Sequence, residues 1–330
     1  MARNGQRRRK TLALAISGAL ALGLAQNAAA GFPAIVQLSA LDGTTGFKLD
    51  GEAAIDISGS RVSAAGDING DGIDDLIIGA FIADPNGNRS GRSYVVFGKT
   101  GGFTSPLQLS SLDGTDGFKL DGEGEGDRSG RSVSAAGDIN GDGVDDLIVG
   151  AWASDSNGSD SGRSYVVFGK TGGFTSPLQL SSLDGTSGFK LDGEAAGHRS
   201  GGSVSAAGDI NGDGIDDLII GASNPYPNGI DTGRSYVVFG KTGGFTSPLQ
   251  LSSLDGTDGF KLDGEGEGDR SGRSVSAAGD INGDGVDDLI VGAWASDSNG
   301  SDSGRSYVVF GKTGGFTSPL QLSSLDGTSG

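Results

Sequence analysis

The feature that most constrains this chain is an internal repeat of 71 residues. The string Gly-Asp-Ile-Asn-Gly-Asp-Gly occurs four times, with its first aspartate at Asp67, Asp138, Asp209 and Asp280. Residues 91–188 and 233–330 are identical to each other. A period of this length indicates one supersecondary unit per repeat, and such a unit must pack against its neighbours because it cannot bury its apolar faces alone.

Composition predicts that the repeated unit is all-β. Glycine provides 64 of the 330 residues, about threefold its usual share. The apolar residues form short β-branched runs such as residues 75–78 and 94–97, and no glycine-free stretch after residue 30 has a helical period. Many short strands joined by glycine-rich turns are therefore expected.

Each repeat is predicted to form a four-stranded blade of a β-propeller. In the second copy we predict strand D over residues 118–121, strand A over 132–136, strand B over 146–151 and strand C over 164–168. Strand A contains small residues, as an inner strand near a crowded axis requires, and the outer strands carry larger side chains. The repeats fill the predicted mature chain, residues 31–330.

The first thirty residues have the pattern of a secretory signal peptide. A basic head over residues 7–10 precedes a 15-residue apolar run, and Ala28, Ala29 and Ala30 supply small residues for cleavage. The run is shorter than the roughly 20 residues that span a bilayer. We therefore expect a secreted protein, extracellular or at the cell surface, with the periplasm as the alternative, and no membrane span in the mature chain.

The charge of the mature chain limits its partners. Residues 1–30 hold five basic and no acidic residues, so the remainder has 19 basic and 42 acidic residues and a net charge of −23. Such a chain repels nucleic acid and attracts divalent cations. It contains no cysteine, so no disulfide stabilises it in spite of the expected export.

The loop between strands A and B reads Asp-x-Asn-x-Asp-Gly-x-x-Asp and predicts about four structural calcium ions. Alternate spacing turns oxygen donors towards one point, and an oxygen-only donor set favours calcium over zinc or copper. An EF-hand would need a carboxylate at position 12, where the first copy has Ile78. The alternative is an Asx-turn without a metal.

The four predicted calcium loops are residues 67–75, 138–146, 209–217 and 280–288, and each would add the carbonyl of its seventh residue to four side chains. The predicted ligands are Asp67, Asn69, Asp71, Ile73, Asp75, Asp138, Asn140, Asp142, Val144, Asp146, Asp209, Asn211, Asp213, Ile215, Asp217, Asp280, Asn282, Asp284, Val286 and Asp288.

The repeat resembles the FG-GAP repeat of the integrin α-chain N-terminal propeller. In the second copy the resemblance rests on residues 130–134, 137–151 and 165–168. Two positions depart from the family pattern: Ser129 replaces a Phe, and the residue after Gly-Ala is Phe81, Trp152, Ser223 or Trp294 instead of Pro. The resemblance implies a seven-bladed propeller, calcium sites and a role in adhesion or ligand binding.

No catalytic residue is predicted. The segment Gly98-Lys99-Thr100 lacks the glycine that a phosphate-binding loop needs at position 93, and His198 is the only histidine. The acidic glycine-rich run over residues 122–126 is interpreted as a solvated loop. We expect a protein that is not an enzyme.

The loops that differ among repeats indicate where a ligand would bind. The A–B and C–D loops lie on one face of a propeller, and the B–C and D–A loops lie on the other. Sequence differences collect in the B–C loops, such as residues 81–86 and 223–228, and in the D–A loops. Loops on a rigid scaffold commonly carry function, although these loops could simply be unconstrained.

The favoured function is an exported calcium-binding propeller that acts as a cell-adhesion or ligand-binding module, with an unidentified protein or glycan ligand on the B–C/D–A face. The alternatives are a lectin-like or polysaccharide-acting enzyme on the same fold, or a non-catalytic part of a larger extracellular protein. Strand D over residues 47–50 could close a four-bladed ring by pairing with residues 306–310. The duplicated segments 38–43 and 322–327 argue for part of a longer, seven-bladed propeller instead.

Overall fold

The structure is a computed structural model that describes residues 35–225 and 230–328. The chain divides into two compact units, residues 1–41 and residues 42–330. The described part of the first unit contains one 3₁₀ turn, Leu38–Ala40. The predicted signal peptide, residues 1–30, lies outside the described residues. Among the described residues, no helix has the length and hydropathy needed to cross a membrane.

The second unit consists of short strands and 3₁₀ turns that recur with the repeat. Strands β1 to β6 are Leu49–Asp50, Arg61–Gly66, Asp75–Ala80, Arg92–Val96, Leu107–Gln108 and Gly117–Asp121. Strands β7 to β11 are Ser132–Gly137, Asp146–Ala151, Arg163–Val167, Leu178–Gln179 and Gly188–Asp192. Strands β12 to β16 are Ser203–Gly208, Asp217–Ala222, Arg234–Val238, Leu249–Gln250 and Gly259–Asp263. Strands β17 to β20 are Ser271–Gly279, Asp288–Ala293, Arg305–Val309 and Leu320–Gln321. The 3₁₀ turns are Leu109–Ser111, Leu180–Ser182, Leu251–Ser253 and Leu322–Ser324.

The sheets are propeller blades, as predicted. The first blade has the order β2-β3-β4-β6, the second β7-β8-β9-β11 and the third β12-β13-β14-β16, and all these neighbours are antiparallel. The described part of the fourth blade contains β17-β18-β19. The predicted strands A, B, C and D of the second copy agree with β7, β8, β9 and β6 to within one residue.

Each of the first three blades also has a fifth, two-residue strand at its outer edge, which the sequence analysis missed. These strands, β10, β15 and β20, come from the following repeat and pair in parallel with β6, β11 and β16. Two residues are too few for an alternating pattern to show in the sequence. Each blade is therefore linked to the repeat after it by backbone hydrogen bonds.

Apolar packing between blades repeats with the same geometry. Phe118 stacks on Phe174, Phe189 on Phe245 and Phe260 on Phe316, with ring centroids 4.1 Å apart in each pair. The inner strands β2, β7, β12 and β17 contact one another in that order. Small residues on these strands allow the close approach, as the composition of strand A predicts.

The two ends of the series do not pair with each other. Strand β1 pairs in parallel with β5, and the Phe47 ring stacks on Phe103 with centroids 4.0 Å apart. Among the described residues, β19 pairs only with β18. The pairing of residues 47–50 with residues 306–310, which would close a ring of four blades, is not formed, so the ring is open.

Candidate metal centres and the two loop faces

The predicted calcium loops join the first two strands of each blade. In the first blade the loop connects β2 to β3, and Gly70 and Gly72 have φ angles of 70° and 89°. This left-handed backbone region favours glycine, so the Asn-Gly-Asp-Gly string has the residues that such a turn requires. The corresponding glycines of the other three loops have similar φ angles.

Hydrogen bonds inside each loop bring side-chain oxygens together. In the second loop the Asp142 N–H donates to both Asp138 Oδ1, at 2.9 Å, and Asn140 Oδ1, at 2.8 Å. The Gly143 N–H donates to Asp138 Oδ2 at 2.7 Å, and the Val144 N–H donates to Asp142 Oδ1 at 3.0 Å. The oxygens of positions 1 and 3 therefore converge on one N–H group, and the same bonds recur in the other loops.

The ninth residue of each loop is a buried carboxylate that joins two segments. Asp146 is fully buried, and its Oδ2 and Oδ1 accept hydrogen bonds from the N–H groups of Ile139, at 3.1 Å, and Gly169, at 2.8 Å. Asp75, Asp217 and Asp288 make equivalent pairs of bonds. This residue ties its loop to the segment that follows the third strand of the same blade.

The ninth carboxylate of three loops has a pKa above its ordinary value. Burial, together with the neighbouring carboxylates of positions 5 and 1, raises the pKa of Asp146 and Asp217 to about 8 and that of Asp75 to about 6. These causes outweigh the backbone hydrogen bonds, which act in the opposite direction. A bound cation would favour the ionised form and offset the repulsion.

The chemistry of the donors fits calcium, whereas the three carboxylates of a loop do not form a closed cluster. In the part of the chain that the structure describes, no group of three or more Asp, Glu, His or Cys side chains is close enough together to hold a metal ion. The ninth carboxylate is engaged by backbone N–H groups, so only the oxygens of positions 1 and 3 share a donor. The complete ligand sets remain predictions.

The sequence analysis missed the eighth residue of the loop, which links neighbouring blades. Asp145 Oδ2 accepts a hydrogen bond from the Asp67 N–H at 2.8 Å, and Asp216 accepts one from the Asp138 N–H at 2.9 Å. Asp287 and the Asp209 N–H repeat the contact at 3.1 Å. The repeated Asp-Asp pair was visible in the sequence, but nothing in the spacing indicates that its first member reaches another blade.

In the second blade the Gly-Lys-Thr segment is residues 169–171, the counterpart of residues 98–100, and it contacts the A–B loop of the preceding blade. The Lys170 N–H donates to the Ile68 carbonyl at 3.0 Å. A Cβ added to Gly70 would lie 2.7 Å from Thr171 Cγ2, so a larger residue there would force Thr171 to move. These contacts place the A–B and C–D loops on one face, as the strand order predicts.

The opposite face carries an ionic bridge between repeats. In the acidic run over residues 122–126, Glu125 is exposed, as a solvated loop predicts, whereas Glu123 forms the bridge. Glu123 Oε2 accepts hydrogen bonds from Arg163, at 2.8 Å, and from the Tyr165 hydroxyl, at 3.1 Å. The same Arg163 donates to Asp192 Oδ1 at 2.6 Å. Equivalent bridges centre on Glu52, Glu194 and Glu265. Glu123 therefore joins the D–A loop to the third strand of the next blade.

Comparison with known proteins agrees with this architecture. The family profile of the FG-GAP repeat matches residues 58–96, 129–167, 200–238 and 271–309. The chain is 32% identical over 243 residues to integrin alpha pat-2 of Caenorhabditis elegans, an alignment that covers 71% of this chain and 18% of that protein. It is 30% identical over 254 residues to integrin alpha-5 of Xenopus laevis, which covers 74% of this chain and 21% of that protein.

The chain thus spans about a fifth of the length of these curated relatives. The first three matched segments begin three residues before an inner strand, the fourth begins with β17, and all four end with the third strand of a blade. The chain is an FG-GAP repeat protein, and its blades are those of an integrin α-like β-propeller.

Proposed function

We propose that this chain is an exported, calcium-binding propeller that serves as an adhesion or ligand-binding module and not as an enzyme. The single observation that carries the calcium assignment is the bifurcated hydrogen bond at position 5, where one N–H group holds the oxygens of positions 1 and 3 together in all four loops.

Calcium would be held by the side chains of positions 1, 3, 5 and 9 and by the carbonyl of position 7. In the second loop these are Asp138, Asn140, Asp142, Asp146 and Val144. The ion would supply positive charge at a loop where a buried carboxylate has a pKa of about 8. Its role is structural, since it would stabilise the first two strands of a blade in a chain without cysteine.

Ligand binding is assigned to the face that carries the B–C and D–A loops. The B–C loops differ most among the repeats, so they can present different side chains on one scaffold. The relatives named above are integrin α chains, which supports an adhesion role in an extracellular setting.

Calcium dependence of folding and of ligand binding tests this proposal. With about 1 mM calcium and a dissociation constant near ~0.1 mM, each site contributes roughly 1.4 kcal/mol of stability. We expect a higher melting temperature in calcium than in chelator, and a much smaller increase in magnesium. Coincident melting curves in calcium and in chelator would contradict the assignment.

An array of immobilised glycans and extracellular proteins, probed in calcium and in chelator, tests the ligand-binding function. A hydrolase and lyase screen on the same preparation tests the alternative. Cleavage of a polysaccharide that is abolished by one carboxylate substitution outside the four loops would show that the chain is an enzyme.

A further inference from the structure

The third blade lacks two large side chains that the blades on either side possess. After strand β13 the chain has Ser223, where the second and fourth blades have Trp152 and Trp294. Before strand β12 it has Gly202, where the same two blades have Arg131 and Arg273. An added Cβ at Gly202 would meet only the Arg199 carbonyl, at 3.4 Å, so backbone crowding does not demand glycine there.

The missing side chains leave a cavity of about 260 Å³ on the B–C/D–A face. Its lining includes Gly202 and Ser223 at the third blade, and Arg131 and Arg273 from the neighbouring blades. We call this cavity the arginine–tryptophan pocket, because Trp152 and Trp294 also line it. Residues 91–188 and 233–330 are identical, so the two flanking blades present the same residue types to it.

Positive charge is concentrated at this pocket although the chain as a whole carries a net charge of −18. Arg199 and Arg270 also line it, and each lies near an aspartate, at 3.5 Å from Asp160 and 3.4 Å from Asp231 respectively. Among the described residues, Arg131 and Arg273 form no ion pair. Burial, then the charges of Arg61 and Arg273, lower the pKa of Arg131.

Arginine side chains also lie against the two indole rings. The Arg128 and Arg199 guanidinium carbons lie 5.0 Å and 4.9 Å from the Trp152 ring centroid, and Arg270 lies 5.7 Å from that of Trp294. Trp152 Nε1 is buried without a hydrogen-bond partner among the described residues. Trp294 is 50% exposed, so apolar ring surface is accessible at the pocket.

We propose that the arginine–tryptophan pocket binds a carboxylate-bearing sugar, a hexuronate residue of an acidic glycan. Arg131 and Arg273 supply the donors and charge that a carboxylate requires. The indole surface packs against the apolar face of a sugar ring, which an acidic peptide side chain does not offer. The volume suits one sugar residue rather than a long segment.

This inference deepens the ligand-binding function proposed above and rests on it. It names the ligand class that the B–C/D–A face would take. It also assigns the site to the third blade, whose sequence differs from its neighbours at Gly202 and Ser223. These differences in sequence would then create the binding pocket.

The chain offers a specific probe, because its only two tryptophans are Trp152 and Trp294. Glucuronate titrated into the full chain in calcium is expected to give a saturable change in tryptophan fluorescence. Glucose, the matched sugar without the carboxylate, is expected to give little change. Raising the ionic strength should weaken the glucuronate response, since part of the affinity is electrostatic.

Variants test which residues are responsible. Arg131→Gln and Arg273→Gln should each weaken glucuronate binding about tenfold, because each removes a charge-assisted hydrogen bond. Lys170→Gln, which removes one positive charge from the opposite face, should leave the affinity unchanged. Ser223→Trp keeps the charge and refills the cavity, and calorimetry should detect no glucuronate binding to it. Melting curves verify that each variant is folded.

Three results would overturn the proposal: an equal response to glucose, a stronger response to tetraglutamate than to glucuronate, or glucuronate binding that Ser223→Trp and Arg131→Gln leave intact. An array ligand whose binding survives both substitutions would exclude this pocket and leave the proposed function standing. If no molecule on the array bound the chain in calcium, the proposed ligand-binding function would be contradicted. The glucuronate titration tests the pocket independently of the array.

Discussion

The second and fourth loops, residues 138–146 and 280–288, have the same sequence and differ in their surroundings. Both contain the bifurcated bond at position 5 and a ninth carboxylate that joins two segments. Yet Ile139 is fully buried, while Ile281 at the same loop position is 62% exposed. The nine residues of the loop therefore determine its internal hydrogen bonds, and the adjoining blade determines whether the loop is buried.

The difference arises from contacts that the third blade makes with the second loop. Asp216 accepts the Asp138 N–H, and the Lys241 N–H donates to the Ile139 carbonyl at 3.0 Å. No described blade makes such contacts with the fourth loop. The two loops have one sequence, so comparing them measures how much the contacts of an adjoining blade contribute to the free energy of unfolding.

The largest expected effect separates Ile139→Ala from Ile281→Ala. The first substitution removes a fully buried side chain from the core cluster that includes Ala136 and Leu218, and should cost about 3 kcal/mol of unfolding free energy. The second removes a mostly exposed side chain and should cost well under 1 kcal/mol. Denaturant unfolding of both variants measures the difference. Equal losses would show that the fourth loop is enclosed in solution.

The next effect concerns the carboxylate that bridges two blades. Asp216→Ala removes the acceptor of the Asp138 N–H and should cost about 1 to 2 kcal/mol, because a part-buried donor loses its partner. Asp74, at the same loop position in the first blade, is exposed. Asp74→Ala is the matched control and should change stability little. A comparable loss in both variants would show that the bridge is not the cause.

The sequence predicted the blades well because each strand is bounded by glycine-rich turns and repeated four times. The positions of β6, β7, β8 and β9 were predicted to within one residue. The outer strands such as β10 were missed, because their pairing with another repeat depends on the approach of two blades. No local pattern in two residues records that approach.

The candidate site divides in the same way. The nine-residue loops were predicted from spacing alone, since the hydrogen bonds that shape them join residues two to five positions apart. Asp145 and Glu123 were missed as bridging residues, because their partners lie 78 and 40 positions away. The arginine–tryptophan pocket depends on side chains of three blades, so only the structure brings them together.

Calcium binding should sharpen the comparison between the two identical loops. Asp142→Ala and Asp284→Ala remove the same predicted ligand and the same loop hydrogen bond. Each should lower the calcium stoichiometry by one and cost roughly 1.4 kcal/mol in about 1 mM calcium. Asp142→Ala, in the enclosed second loop, should lose more stability than Asp284→Ala, because Asp146 then remains buried without a compensating cation. Calorimetric titration and melting in calcium measure both quantities, and unchanged stoichiometry in either variant would remove that loop from the assignment.

The smallest expected effect tests enclosure on the other face, at the ionic bridges of Glu194 and Glu265. Burial raises the pKa of Glu194, but the charge of Arg234 and the hydrogen bonds from Arg234 and Tyr236 together lower it below its ordinary value of 4.5. Hydrogen bonds from Tyr307 and Arg305 lower the pKa of Glu265. Because both folded-state values are depressed, the bridges contribute stability above about pH 4.5, and this contribution is lost as pH falls through the folded-state pKa.

The two bridges should contribute different amounts of stability, because the Arg234 side chain is 12% exposed and the Arg305 side chain is 38% exposed. Glu194→Gln should cost about 1 kcal/mol at neutral pH and flatten the fall in stability on the acidic side of pH 4.5. Glu265→Gln should do less, since water screens its partner. Unfolding of both variants and the parent between pH 3 and pH 7 measures the slopes. If Glu194→Gln left the acid-side slope unchanged, the Glu194 bridge would not be a source of the acid sensitivity, and enclosure would matter only on the face that carries the predicted calcium loops.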